Sequence, residues 1–104
     1  LKDDNSYHMM MLGMCAFLRR DYAVKSNRES GTGRSDICLY SKNARYPNLV
    51  LEFKYTKDEM EDLVELAEKA LDQIKEKQYD AEMEGEVVYL GLAHCGKSAC
   101  VRWE

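Results

Sequence analysis

The chain has 104 residues, enough for one compact domain with its own core, so we expect a single domain over residues 1–104. Its net charge is −4. This argues against a protein that coats nucleic acid through bulk positive charge, although a few Lys and Arg side chains could hold nucleic acid locally. The longest apolar run, Met9–Leu18, is shorter than the roughly 20 residues that a membrane-spanning helix needs. We therefore expect a cytoplasmic protein with no membrane partner.

Four cysteines bear on the cellular compartment. None forms a CxxC pair, and a chain of this size folds without covalent staples, so we expect reduced and mostly buried thiols. A disulfide framework is one alternative. A zinc site formed by Cys38, His94, Cys95 and Cys100 is another, but their spacing matches no common zinc-ligand pattern.

The first half of the chain predicts a helix followed by three strands. Asp3–Ser6 offers several helix N-caps, and apolar residues then recur at helical spacing as far as Arg20. Strands are predicted at Tyr22–Arg28, Arg34–Tyr40 and Asn48–Tyr55 from their apolar and β-branched residues. A glycine-rich turn joins the first two strands and a polar loop joins the last two. These short connections indicate an antiparallel meander.

The second half predicts a long helix and two further strands. Thr56 and Glu59 have the spacing of a capping box, which predicts a helix from there to about Tyr79, with one continuous apolar stripe. Glu86–Ala93 and Ala99–Trp103 follow as strands. The predicted order is α-β-β-β-α-β-β, and the helical crossover predicts that the third and fourth strands are parallel neighbours.

Charged residues occur inside two of the predicted strands. Asp36 lies in the second strand, and Glu52 and Lys54 lie two residues apart in the third, so Glu52 and Lys54 share a face. Glu29 precedes the glycine turn and could lie at the same end of the sheet. Carboxylate oxygens grouped in this way suit Mg²⁺. The alternative is structural: Asp36 would shape a turn or pair with Arg34, and Glu52 and Lys54 would form an exposed pair.

The element order and the motif Ser35-Asp36, fifteen residues, Glu52-Phe53-Lys54 resemble the core of the PD-(D/E)XK nuclease superfamily. SNRESGTGRSDICLY, VLEFKY, ALDQIKEKQYD and GLAHCGKSACV are similar to the branch often found behind an AAA-type ATPase domain in bacterial proteins. The resemblance implies an α/β restriction-endonuclease-like core, a mixed central sheet of about five strands flanked by helices. With a first residue that is not Met, it also implies a C-terminal fragment of a longer protein.

The resemblance implies roles for three residues. Asp36 and Glu52 would bind Mg²⁺ or Mn²⁺, and Lys54 would position the attacking water and stabilise developing charge. The first motif has Ser35 where the superfamily often has proline. Many members also carry an acidic residue on the first helix. Here the segment between Ser6 and Arg20 has none, which leaves His8 and makes Glu29 the more suitable substitute.

Further candidates come from the same resemblance. Gln73 and Tyr79 match a Gln-to-Tyr spacing that some nuclease branches have near the site. The alternative for Gln73 is a solvated helix residue. Three basic residues are candidate phosphate contacts: Arg28, Arg34 and Lys97.

We therefore expect a metal-dependent nuclease that hydrolyses phosphodiester bonds, with DNA as the partner. Two alternatives remain open at this point. One is a catalytically silent domain of the same fold that serves as a binding module for an upstream AAA-type ATPase domain. The other is a dimerisation module, with a homodimer as the expected state.

Overall fold

A computed structural model describes residues 9, 12–13, 15–29, 34–77 and 83–104 of the chain. The described residues form a five-stranded sheet and one α-helix. In chain order the elements are β1 (Tyr22–Glu29), β2 (Arg34–Ser41), β3 (Asn48–Tyr55), α1 (Leu63–Glu76), β4 (Val87–Cys95) and β5 (Ser98–Trp103). The predicted α/β class with a mixed five-stranded sheet is confirmed.

The predicted N-terminal helix falls partly outside the described residues. Within that segment, Met9, Leu12, Gly13 and Cys15 have helical backbone conformation. A single 3₁₀ turn, Ala16–Leu18, follows them. None of the helical segments in the described part of the chain combines the length and the apolar character of a membrane span.

The strands lie in the order β1-β2-β3-β4-β5 across the sheet. β1, β2 and β3 form an antiparallel meander. β4 then pairs parallel to β3 after the crossover through α1, and β5 returns antiparallel to β4. Both the meander and the parallel pairing match the expectation from sequence.

Side chains alternate between the two faces of the sheet, and each face has its own core. On one face, apolar residues of β1 to β4 pack with Cys15: Tyr22, Ile37, Leu39, Leu51, Phe53 and Leu92. On the other face, Leu71 and Ile74 of α1 pack on Cys38 of β2 and Val50 of β3. Leu66 and Ala67 continue this contact onto Ala93 of β4. We call the side of the sheet that α1 covers the helix face.

Helix α1 begins later than its sequence predicts. Thr56 is not its N-cap, because the Thr56 hydroxyl accepts a hydrogen bond from Asp58 N–H in a local turn at 3.1 Å. Asp62 caps the helix instead, since its carboxylate accepts hydrogen bonds from the backbone N–H groups of Val64 and Glu65. Asp62 and Glu65 repeat the three-residue capping spacing, so two competing start signals lie six residues apart. The helix starts at the second signal, with Asp62 as its N-cap.

Asn48 connects three segments at the start of β3. It is buried, and its Oδ1 accepts a hydrogen bond from Ser41 N–H at 2.8 Å. Its Nδ2 donates to the carbonyl oxygens of Glu84 at 2.7 Å and Glu86 at 3.3 Å. These bonds join the end of β2, the start of β3 and the segment that leads into β4.

Candidate functional site

Two acidic residues lie side by side on the helix face. Asp36 of β2 and Glu52 of β3 are direct partners in the antiparallel ladder. Their strand neighbours Ile37 and Leu51 belong to the opposite core, so the two carboxylates point toward α1. Asp36 is 3% exposed and Glu52 is fully buried. Two adjacent buried carboxylates are costly unless cations or hydrogen-bond donors compensate them.

Lys77 supplies a shared cation for this pair. Its Nζ lies 2.7 Å from Oδ2 of Asp36 and 2.9 Å from Oε1 of Glu52. Lys77 is the C-cap residue of α1, where the partial negative charge of the helix dipole also favours a cation. Its side chain is 23% exposed and lies between the buried carboxylates and solvent. We call Asp36 and Glu52 the acidic pair. With Lys77 they form a compact cluster.

The pKa values of the cluster follow from burial and from mutual charge. Burial raises the pKa of Glu52, and the negative charge of Asp36 raises it further against the opposing effect of Lys77. For Lys77, burial alone would lower the pKa, but the hydrogen bonds and charges of Asp36 and Glu52 outweigh burial and raise it. Lys77 is therefore held as a cation, whereas Glu52 is protonated more readily than an exposed glutamate.

Lys54 lies two residues beyond Glu52 on the same face of β3. It is half-buried, and its ladder partners are Arg34 in β2 and Ala93 in β4. The cation that bridges the acidic pair is thus contributed by the helix, while Lys54 brings a second positive charge to the same strand face. Asp36 and Glu52 share one ladder position, and Lys54 lies two positions further along β3, opposite Arg34.

Gln73 lies one helical turn before Lys77 on α1 and is half-buried. Its Oε1 is buried and has no hydrogen-bond partner among the described residues. An unpartnered buried amide oxygen has an energetic cost of about 1–3 kcal/mol, which a solvated helix residue would not carry. Gln73 therefore presents an acceptor oxygen on the helical turn that leads into the site, suited to a water, a donor group or a metal ion.

Close packing between α1 and β4 sets the distance of the helix from the sheet. Gly91 of β4 is the ladder partner of Glu52. A Cβ atom at Gly91 would overlap the carbonyl oxygen of Ala67 and the backbone nitrogen of Leu71. Only glycine permits α1 to lie this close, and the helix then ends at Lys77 beside the acidic pair.

The structure does not bring every candidate to the acidic pair. Arg28, Glu29 and Arg34 have described backbone positions: Arg28 pairs with Ser35, and Glu29 pairs with Arg34. Lys97 lies in the turn between β4 and β5 and lines an open cavity of about 580 Å³ with Glu59 and Glu61. That lining does not include Asp36, Glu52 or Lys77. Two candidates lie outside the described residues: His8 and Tyr79.

The alternative zinc set is divided between the two faces of the sheet. His94 is buried and packs on the ring of Tyr55, with centroids 4.8 Å apart. It belongs to the face that carries Leu92 and Phe53, whereas Cys38 lies on the helix face. Within the described ranges all four cysteines are free thiols, and no group of three or more His, Cys, Asp or Glu side chains there could hold a metal.

The acidic pair nevertheless fits a magnesium ion. Mg²⁺ is commonly held by one or two carboxylates, with waters and substrate phosphate oxygens completing its shell. A single cation, the Lys77 ammonium, already contacts one oxygen of each carboxylate within 3 Å. The unpartnered Oε1 of Gln73 provides a neutral oxygen from the adjacent helix. Asp36 and Glu52 would hold the ion, because carboxylate oxygens are hard ligands of the kind that Mg²⁺ prefers.

Lys77 is the residue of this cluster that sequence reasoning missed. It lies 41 residues from Asp36 along the chain, and no local motif links them. One signal could have found it. A buried Asp–Glu pair needs a cation, and Lys77 follows the apolar stripe residues Ala70 and Ile74 at helical spacing.

Comparison with known proteins agrees with this geometry at the level of the family. The family model described as the PD-(D/E)XK nuclease superfamily matches residues 2–104. Neither the curated proteins nor the solved structures gave a match.

Proposed function

Because this chain belongs to the PD-(D/E)XK nuclease superfamily, we propose that it is a metal-dependent nuclease that hydrolyses phosphodiester bonds in DNA. The observation that carries the proposal is the buried acidic pair, Asp36 and Glu52, which both contact the Lys77 ammonium. A structural role for two adjacent buried carboxylates offers little net stability, because their desolvation offsets most of the attraction. A site for a divalent cation accounts for both residues.

The mechanism assigns each side chain a task. Asp36 and Glu52 would hold Mg²⁺ or Mn²⁺ through carboxylate oxygens. Such an ion would lower the pKa of a water and supply positive charge for the scissile phosphate. Lys54, on the same strand face as Glu52, orients the attacking water and stabilises the charge that grows on the phosphoryl oxygens. Gln73 accepts a hydrogen bond from that water through its buried Oε1.

The proposal is tested by metal binding and cleavage measured on the same variants. Mg²⁺ and Mn²⁺ are titrated into wild type and Asp36→Asn by calorimetry, and both proteins are incubated with plasmid and with single-stranded DNA. We expect wild type to bind metal and cleave DNA. We expect Asp36→Asn to lose binding and to cleave at least about 100-fold more slowly, since a carboxylate ligand is removed.

Matched variants separate the site from general charge effects. Asp72→Asn removes the same charge at an exposed position of α1 and should leave binding and cleavage unchanged. Lys54→Met should keep metal binding but lose cleavage, because Lys54 acts on water and phosphate. Equal cleavage by wild type and Asp36→Asn in the presence of metal would contradict the proposal.

A catalytically silent domain of the same fold is the second candidate. One observation favours it: Lys77 already compensates both carboxylates without a metal. In that case the domain would act as a binding or dimerisation module. Wild type would then bind neither Mg²⁺ nor Mn²⁺ at millimolar concentration, and light scattering would test for a homodimer.

We also propose the ATPase-associated branch of the superfamily, on the strength of the motifs SNRESGTGRSDICLY, VLEFKY and ALDQIKEKQYD. The partner would be an AAA-type ATPase domain in the same longer protein, and the chain would be its nuclease-like part in the cytoplasm of a bacterium. Co-expression of the chain with that ATPase domain, followed by DNA cleavage with and without ATP, tests this point. A cleavage rate independent of both would count against it.

A further inference from the structure

We infer that Lys77 is an internal counter-ion that the divalent metal must displace, so that the ammonium and the metal occupy the acidic pair in turn. The inference rests on the proposed function, because it concerns the same two carboxylates. It goes beyond that function by assigning a role to a helix residue outside the motif. The role is to compensate the charges of Asp36 and Glu52 until a metal ion binds.

The first step of the argument is the position of the ammonium. Its Nζ contacts Oδ2 of Asp36 at 2.7 Å and Oε1 of Glu52 at 2.9 Å. A metal ion held by these two carboxylates would compete for oxygens that the ammonium already contacts. Two cations held by the same buried carboxylates would also repel each other strongly.

The second step is that metal-free protein needs Lys77. Glu52 is fully buried and Asp36 is 3% exposed, so solvent does little to stabilise their charges. Removing a cation that contacts two buried carboxylates is strongly destabilising, whereas replacing one cation by another is not. Metal binding and Lys77 release are therefore expected to occur as one exchange.

The third step is that Lys77 can leave. It is the C-cap of α1, and its side chain is 23% exposed, whereas both carboxylates are buried. A change of side-chain rotamer would take the ammonium to solvent without moving α1, whose buried residue Ile74 stays packed on the sheet. The exchange needs no rearrangement of the fold.

The test compares Mn²⁺ affinity, measured by calorimetry, in wild type, Lys77→Met and Lys77→Arg. Lys77→Met removes the competing cation and should bind Mn²⁺ at least about tenfold more tightly than wild type. Lys77→Arg keeps a cation and should stay within about threefold of wild type. Lys75→Met is the matched control, because Lys75 lies on the same helix but pairs with exposed Glu104 at 2.7 Å, and its affinity should not change.

A second measurement uses wild type alone, in case Lys77→Met does not fold. An amine-acylating reagent is applied with chelator and with saturating Mn²⁺, and modification at Lys77 and Lys75 is followed by mass spectrometry. We expect modification of Lys77 to rise at least about threefold when metal is bound, since the ammonium becomes solvent-exposed. Modification of Lys75 should stay constant.

The outcomes distinguish this inference from the proposed function. If wild type and Lys77→Met bind Mn²⁺ equally well, or if metal leaves Lys77 modification unchanged, the exchange is wrong and the nuclease site stands. If wild type binds no metal and Lys77→Met does, the exchange is supported and wild-type activity is what fails. If neither protein binds metal, both the exchange and the metal site are wrong.

Discussion

Glu52 of β3 lies opposite Gly91 of β4 in the parallel ladder, and helix α1 packs directly over that glycine. Glu52 therefore belongs to the acidic pair, and its ladder partner Gly91 sets how closely α1 approaches the sheet. The helix delivers Gln73 and Lys77 to the site from this contact.

Gly91→Ala should destabilise the fold by about 1–3 kcal/mol, because the added methyl group meets backbone atoms of Ala67 and Leu71 that cannot turn aside. Urea unfolding of both proteins measures this. Gly13→Ala is the control, since Gly13 has helical backbone and no described atom within 4 Å of an added Cβ. It should be neutral or stabilising by up to about 1 kcal/mol. Equal stability of Gly91→Ala and wild type would contradict the close packing.

Gln73→Leu should separate folding from function. The buried Oε1 of Gln73 forms no hydrogen bond within the described part of the chain, so an apolar replacement should not lower the free energy of unfolding and should raise it by up to about 1–3 kcal/mol, because the unpartnered acceptor is removed. Cleavage should nevertheless fall, about tenfold, if this oxygen orients water at the site. Unfolding curves and cleavage rates of the same preparation provide the comparison. A large loss of stability with normal cleavage would assign Gln73 to the core instead.

The pKa of Glu52 predicts a pH dependence of stability in metal-free protein. Burial raises this pKa above its ordinary value of 4.5, so the folded state binds the proton more tightly than the unfolded state. The resulting stabilisation is fully present below 4.5 and is lost as the pH rises through the folded-state pKa. Wild type should therefore lose stability relative to Glu52→Gln as the pH rises above 4.5. Urea unfolding with chelator measures the difference, and parallel pH profiles would contradict it.

The observed start of α1 predicts unequal effects at its two candidate caps. Asp62→Ala should lower the free energy of unfolding by about 0.5–2 kcal/mol, since Asp62 accepts hydrogen bonds from two N–H groups of the first helical turn. Thr56→Ala should cost less than about 0.5 kcal/mol, because Thr56 holds only a local exposed turn. Thermal or urea unfolding checks both. A larger loss for Thr56→Ala would place the helix start where the first capping spacing predicts it.

Local pattern was enough to predict the strands of the site. β3 was predicted with its observed bounds, Asn48–Tyr55, because alternation and β-branched residues are properties of adjacent residues. The antiparallel pairing of β2 with β3 followed from their short connection, and the structure adds the register that sets Asp36 opposite Glu52. The motif resemblance then identified the same two residues, and the sheet places them side by side.

Features that depend on tertiary packing were not predicted. Helix α1 has two capping signals with the same spacing, and the observed start at Asp62 goes with the packing of Leu66 and Ala67 on the sheet. Lys77 was missed because its partners lie on two other elements, and because Lys54 offered a nearer cation in sequence. Spacing alone does not tell which lysine reaches a carboxylate pair.

Asn48 gives the site a fixed point of reference. Its side chain ties the end of β2 to the segment before β4, and its own backbone pairs at the first position of the parallel ladder. Side chains alternate between the two faces along β3, so fixing Asn48 also fixes which face each later residue occupies. Glu52, four residues on, therefore faces the helix, and Leu51 does not. A shift of one position would turn the carboxylate into the opposite core and an aliphatic side chain toward α1. The placement of Glu52 therefore depends on the side-chain amide of Asn48, four residues away. Changes in the loop before Asn48 should be tolerated only if this amide keeps its three hydrogen bonds.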